Sequence, residues 1–391
     1  MKIGLVGAYD RNNFGDLLMP VLFEKQYKLN NPEKEIEFRY YGQIKSDMNY
    51  LKSYSTDYLK NCYNDCDIVI VVGGEVLTAS YKLMYLNLQK NKLKIFLLRC
   101  LNKLFPKFVD YVAKKRLIGL ESKPWILDKD KLKCKKLIYN TVGGKIGNDE
   151  ISEENLKKVD YISMRSKHDF DNMIKINKKA CIYPDSVTSI SYFFSEEEIL
   201  KNVDSDIREL TKEKYFIIQI DNRDSKGEIE KIGDQINLIC NSFNINCILL
   251  PIGYAQGHED QVALNKILKY CKNDKVKMPR MTNIYETLYI LKEAEVFIGT
   301  SLHGIIVSTS YGVPHMVLTN KIKKLLNYVQ TWETTPINYT KVEEISFNFK
   351  KIYNNEEVKN RLLNYRDELI KLSLENFNNI NSIINEVNQN E

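Results

Sequence analysis

A chain of 391 residues exceeds what one hydrophobic core usually organises, so two domains of ordinary size are expected. Hydrophobic residues make up 43% and charged residues 28%, and the mean hydropathy is negative, which excludes the disordered and membrane-spanning classes. The net charge of +6 suits an anionic ligand but lacks the concentrated basic signature of a nucleic-acid binder, so no nucleic acid is expected as a partner.

The first residues, MKIGLVGAYD, pass from one lysine straight into a short β-like run, without the long apolar stretch and cleavage site of a secretory signal. Short β-branched runs then alternate with helical patterns, the signature of parallel sheets covered by helices. Candidate strands are Lys2–Ala8, Ile36–Tyr41, Asp67–Val72, Lys136–Thr141, Tyr161–Ser163 and Ala180–Tyr183. A second series follows at Tyr215–Ile220, Cys247–Ile252, Lys275–Lys277, Val296–Ile298 and His315–Leu318. This predicts an N-terminal Rossmann-like domain over 1–190, a C-terminal one over 191–345 and a helical tail over 346–391.

One segment interrupts the alternation. From Tyr81 to Arg116, leucines, phenylalanines and tyrosines mix with ten lysines and arginines against the single acid Asp110. Such a segment suits an anionic membrane surface, and a solvated helical insertion packed on the core is the alternative. Eight cysteines form no CxxC pair, and no histidine completes a zinc site, so free thiols in a reducing cytoplasm and no metal are expected.

Four stretches carry residues suited to chemistry. The first strand runs into Gly7-Ala8-Tyr9-Asp10-Arg11-Asn12-Asn13-Phe14-Gly15-Asp16, a polar loop at the carboxyl end of a parallel strand, where open α/β sheets bind ligands. It matches neither GxGxxG nor GxxxxGK[ST], and for Asn13 and Asp16 helix capping is the plainer role. Gly73-Gly74-Glu75 closes the next central strand, where missing side chains permit close backbone approach or simply a tight turn. Ser163-Met164-Arg165 delivers a guanidinium at a strand end, suited to an anion or to an ordinary ion pair, and Pro184-Asp185-Ser186 follows. The richest stretch is Gly299-Thr300-Ser301-Leu302-His303-Gly304, leading to Gly312-Val313-Pro314. It brings a histidine, able to exchange protons near neutral pH, to a helix start that favours anions.

In this order the landmarks resemble the polysaccharide pyruvyl transferase family, over residues 1 to about 318. The resemblance implies a glycosyltransferase-B-like α/β architecture of two Rossmann-like domains facing across a cleft. It also implies phosphoenolpyruvate as co-substrate with no other cofactor, and a glycan or lipid-linked oligosaccharide as acceptor. Carried onto this chain, Arg165, Ser301 and Gly304 would bind the donor, His303 would donate a proton and Asp16 would bind or deprotonate the acceptor. Asn13, Gly15, Gly73 and Gly74 would lie on the acceptor side. Many members have arginine where this chain has Ser301, and Arg223, at the end of the strand Tyr215–Ile220, is a candidate replacement by sheet geometry. The runner-up is a nucleotide-sugar glycosyltransferase of the same fold, and the third reading is a non-enzymatic sugar-binding protein. The pairs Asp65/Asp67 and Asp169/Asp171 read as surface charge rather than as a metal-binding motif.

Overall fold

The computed structural model describes residues 1–9, 13–48, 54–89, 91–223, 225–254, 259–281, 283–319, 321–333 and 339–389. Residues 10–12 of the first loop therefore lie outside the described residues. Among the described residues the strands are β1 Lys2–Val6, β2 Glu37–Gly42, β3 Ser46–Asp47, β4 Ser55–Tyr58, β5 Ile68–Val71, β6 Lys136–Val142, β7 Tyr161–Met164 and β8 Cys181–Ile182. They continue with β9 Tyr215–Gln219, β10 Asn246–Leu249, β11 Val276–Lys277, β12 Val296–Gly299 and β13 His315–Val317. All eleven expected strands are present. The two unforeseen ones, β3 and β4, are short and polar and carry no hydrophobic alternation.

Contacts divide the chain into two compact units, Met1–Ser186 with Leu374–Glu391, and Val187–Ser373. The expected C-terminal helical tail is present, and its terminal helix Glu356–Gln389 contributes residues up to Ser373 to the second unit and the remainder to the first. In the first unit Asn376 Nδ2 donates to Asn140 Oδ1 at 2.8 Å, and Phe377 meets Phe23 edge to face at 5.7 Å.

The first unit holds an eight-stranded sheet in the order β3-β4-β2-β1-β5-β6-β7-β8, parallel except for β3 against β4. Its central strand β5 reads IVIV and is buried throughout, as a parallel strand covered on both faces requires. The second unit holds a parallel sheet in the order β11-β10-β9-β12-β13, with Tyr215–Gln219 and Val296–Gly299 buried at its centre. In each unit the chain first builds outward on one side and then returns to the other. The order reverses between β1 and β5 in the first unit and between β9 and β12 in the second. Loops leaving neighbouring strands diverge at such points, and open α/β sheets place their ligand crevices there.

Candidate active site

At the β1–β5 reversal the structure assembles most of the residues predicted for the acceptor. Asn13 precedes the helix Phe14–Asn30, and its Nδ2 donates to Asp16 Oδ2 at 2.8 Å, which orients the carboxylate in the first turn. Gly15 is buried inside that turn. Gly73 and Gly74 adopt φ of +108° and +84°, the left-handed region that side chains resist. A β-carbon on Gly73 would also meet Met19 Sδ at 2.7 Å, while one on Gly74 would stand 3.5 Å from Asp16 Oδ1. The positive φ values require the glycines, and the turn they form lies beside the Asp16 carboxylate.

Arg165 departs from expectation. Instead of presenting a guanidinium to an incoming anion, it is 3% exposed and held between two carboxylates. Its Nη1 donates to Asp185 Oδ2 at 3.0 Å and its Nη2 to Glu75 Oε2 at 2.9 Å. Burial opposes its charge, but Asp185 and Glu75 more than offset this and hold its pKa above the ordinary value. Asp185 is fully buried, whereas the Glu75 side chain is 34% exposed. The arginine therefore fixes a solvent-facing carboxylate at the end of β5, and Glu75 is the site residue that sequence reasoning passed over. A lone acid after two glycines carries no local signal of a partner 90 positions away.

Local backbone geometry makes room for this triad. The β6–β7 register shifts between Tyr139 and Val142, and the intervening Thr141 is buried at φ +46°, an outlier for a β-branched residue. The Thr141 amide donates to Ser163 Oγ at 2.8 Å, and its Oγ1 accepts the Ser186 amide at 3.2 Å, so the strained residue ties β7 to the turn after β8. Next along the chain, a β-carbon on Gly143 would meet Arg165 Nε at 2.8 Å and Glu75 Oε2 at 2.9 Å. Strain of this kind persists where neighbouring contacts over-determine it, often at functional sites.

At the β9–β12 reversal of the second unit, Ser301 is the N-cap of the helix Leu302–Tyr311 and accepts the Gly304 amide at 3.2 Å. Both residues have structural roles: the Ser301 hydroxyl oxygen holds the Gly304 amide, and a β-carbon on Gly304 would collide with Phe297 Cζ at 2.4 Å, so the glycine serves helix-on-strand packing. His303, partly exposed, lies in the same first turn, where the helix dipole favours anions. Behind it runs a buried network. Gln219 Oε1 accepts the Thr300 amide at 2.9 Å, and Gln219 Nε2 donates to Asp260 Oδ2 at 2.8 Å. The same carboxylate oxygen accepts the amides of Ile252 at 3.0 Å and Gly253 at 2.8 Å. Burial pushes Asp260 up to about 7, against the pull of those donors. On the neighbouring loop Arg223 forks onto Asp221 at 3.0 and 2.7 Å, while its side chain remains 60% exposed. Asp221 is joined in turn to the histidine loop, its amide donating to Thr300 Oγ1 at 3.1 Å.

Among the described residues no group of three or more His, Cys, Asp and Glu could hold a metal ion. No helix there is long and apolar enough to cross a membrane.

Comparison with solved structures finds the same fold in sugar-nucleotide enzymes. A Listeria monocytogenes protein assigned as a UDP-N-acetylglucosamine 2-epimerase superposes with a TM-score of 0.56 at 12% identity, covering 100% of this chain and 97% of its own. The Neisseria meningitidis UDP-GlcNAc 2-epimerase bound to UDP-GlcNAc gives 0.55 at 12% identity over 100% of both chains. The Methanocaldococcus jannaschii enzyme gives 0.53 at 12% identity, covering 93% of this chain and 99% of its own. These likenesses establish the glycosyltransferase-B-like α/β fold with parallel sheets and nothing about substrate. No curated protein sequence matches the chain. The family profile described as polysaccharide pyruvyl transferase matches residues 116–322, just over half of the chain and including Arg165, Asp185, Asp260 and His303, and the protein accordingly belongs to the polysaccharide pyruvyl transferase family.

Proposed function

We propose that this chain moves the pyruvyl group of phosphoenolpyruvate onto a pair of hydroxyls of a cell-surface glycan or its lipid-linked precursor, closing a pyruvate ketal. The observation that carries the reading is His303, an imidazole in the first turn of a helix beginning at a sheet reversal, in a chain of this family.

His303 delivers a proton to the methylene carbon of the enol phosphate, a C–H bond forms from the π pair, and the neighbouring carbon becomes electrophilic. A sugar hydroxyl adds there and gives up its proton to a base. The carbon–oxygen bond to phosphate breaks, inorganic phosphate leaves with the electron pair, and a second hydroxyl closes the ketal with loss of its proton. Asp16 and Glu75 take the acceptor-side roles of binding and deprotonating hydroxyls. Arg165 acts as a positioning residue that holds Glu75. On the donor side, the exposed part of the Arg223 guanidinium and the dipole of the helix Leu302–Tyr311 attract the anion. Phosphoenolpyruvate serves as co-substrate without a further cofactor.

The test is incubation of the purified protein with phosphoenolpyruvate and lipid-linked or free glycans, followed by phosphate release and mass analysis for the ketal. A parallel arm supplies nucleotide sugars. Glycosyl transfer in that arm, with no phosphoenolpyruvate consumption, would replace this reading with a glycosyltransferase. Turnover in neither arm, with glycan retained, would leave a sugar-binding protein.

A further inference from the structure

We propose that the helical insertion Tyr81–Arg116 is a docking surface for an anionic lipid bilayer. This claim stands on the geometry of the insertion and does not depend on the reaction proposed above. The segment forms three helices, Tyr81–Asn87, Lys92–Leu104 and Pro106–Arg116. Along the middle one, Leu93, Phe96, Leu97, Leu101 and Leu104 recur at spacings of three and four residues, so at about 100° per residue they share one arc. That arc is turned outward: Leu93 is 68% exposed, Phe96 63% and Leu104 71%. Ile95, on the opposite side of the same helix, is buried. Lys94 flanks the arc on one side and Arg99 and Lys103 on the other.

The next helix repeats the inversion. Val109 and Ala113 are buried toward the unit's core, whereas Phe108 and Tyr111 are exposed, as is Phe105 in the corner between the helices. An ordinary amphipathic helix buries its apolar stripe and exposes its charges. Here a contiguous apolar ridge and its basic flanks share the solvent side, the arrangement that lies in a headgroup layer with apolar residues in the acyl boundary.

Charge selects the occupant. The segment carries ten lysines and arginines, and its single acid, Asp110, accepts the Lys82 backbone amide at 3.2 Å. A second copy of the chain packed ridge to ridge would bring the same positive charge against the segment and be repelled. An anionic bilayer complements both the charge and the apolar stripe.

The test is flotation of the full chain with vesicles of phosphatidylcholine alone or with about a third phosphatidylglycerol, at salt from about 0.05 to 0.5 M. Binding to the anionic vesicles is expected, with loss as salt rises and little binding to the neutral ones. The set Lys94→Gln, Lys103→Gln and Lys107→Gln should lower the partition roughly 100-fold. The pair Leu97→Gln and Leu104→Gln should lower it by about as much. Because these side chains face solvent, melting temperatures should hold, and either set suffices if the other misfolds. Absence of anionic-vesicle binding at low salt, or binding unmoved by both sets, overturns the proposal. So does a concentration-dependent dimer that the leucine pair abolishes while no vesicle binding is seen.

Discussion

Arg165 offers the sharpest separation between a ligand clamp and an internal brace. Replacing it with alanine removes an ion-pair partner of Asp185, which is fully buried, and of Glu75, which is partly exposed. Breaking a buried ion pair by deleting one member typically costs about 3 to 5 kcal/mol, because the remaining charge is left desolvated. In a body of about two hundred residues each kcal/mol moves the midpoint by roughly 2 to 4 °C, so Arg165→Ala should lower the first unit's melting transition by about 6 to 20 °C. The double variant Arg165→Ala with Asp185→Asn should recover part of that loss, since the buried charge that faced the guanidinium is then removed. Glu75→Gln should cost far less stability and lower turnover instead. Calorimetry read beside initial rates makes the comparison. A transition for Arg165→Ala within about 2 °C of the parent, with the whole effect on donor affinity, would refute the brace and restore the clamp.

His303→Gln keeps size and polarity but abolishes proton exchange, so single-turnover rates should fall about 100- to 10,000-fold with donor binding and melting point preserved. Near-parent rates would remove His303 from the chemistry. Asp260 has its folded pKa raised from 3.8 to about 7, so the native state binds the extra proton and the associated stability is present below pH about 4 and lost as pH rises through about 7. Asp260→Asn should flatten that window, a difference of roughly 4 kcal/mol at most, and unchanged denaturation midpoints across pH 4 to 8 in the parent would contradict the assignment. Gly304→Ala, forced against Phe297, should destabilise the second unit by about 1 to 3 kcal/mol, measurable as a lower urea midpoint.

Much of this architecture was legible in the chain. Runs such as Ile68–Val71 and Val296–Gly299 are strands for a local reason: buried parallel strands need continuous β-branched and aromatic residues. Gly312 at φ +71° ends its helix as the Gly-Val-Pro pattern indicated. The polar strands Ser46–Asp47 and Ser55–Tyr58 escaped because their pairing owes nothing to side-chain alternation. At the site, the sequence order put Asn13, Asp16, Gly73 and Gly74 on loops that leave the carboxyl ends of their strands, where open α/β sheets bind ligands. That Ser301 caps its helix and Gly304 packs on Phe297 was not legible, because a cap and a close packing contact look the same in sequence as an anion site.

Sequence by itself determined the two largely parallel α/β sheets, the family, the positions of Asp16, Arg165 and His303 on the carboxyl side of their strands, and the basic, apolar character of residues 81–116. These are matters of periodicity and neighbouring residues, which the chain carries locally. Only the tertiary structure decided what those residues face. Arg165 became a brace because Asp185, from the loop after the neighbouring strand β8, and Glu75, from the loop after β5 two strands away, meet it although they lie 20 and 90 positions off in the chain. The leucines of the insertion became a surface because Ile95, Val109 and Ala113 supply the contact with the core. Periodicity specifies that a helix has two faces, and only packing against the rest of the fold selects the one left to solvent.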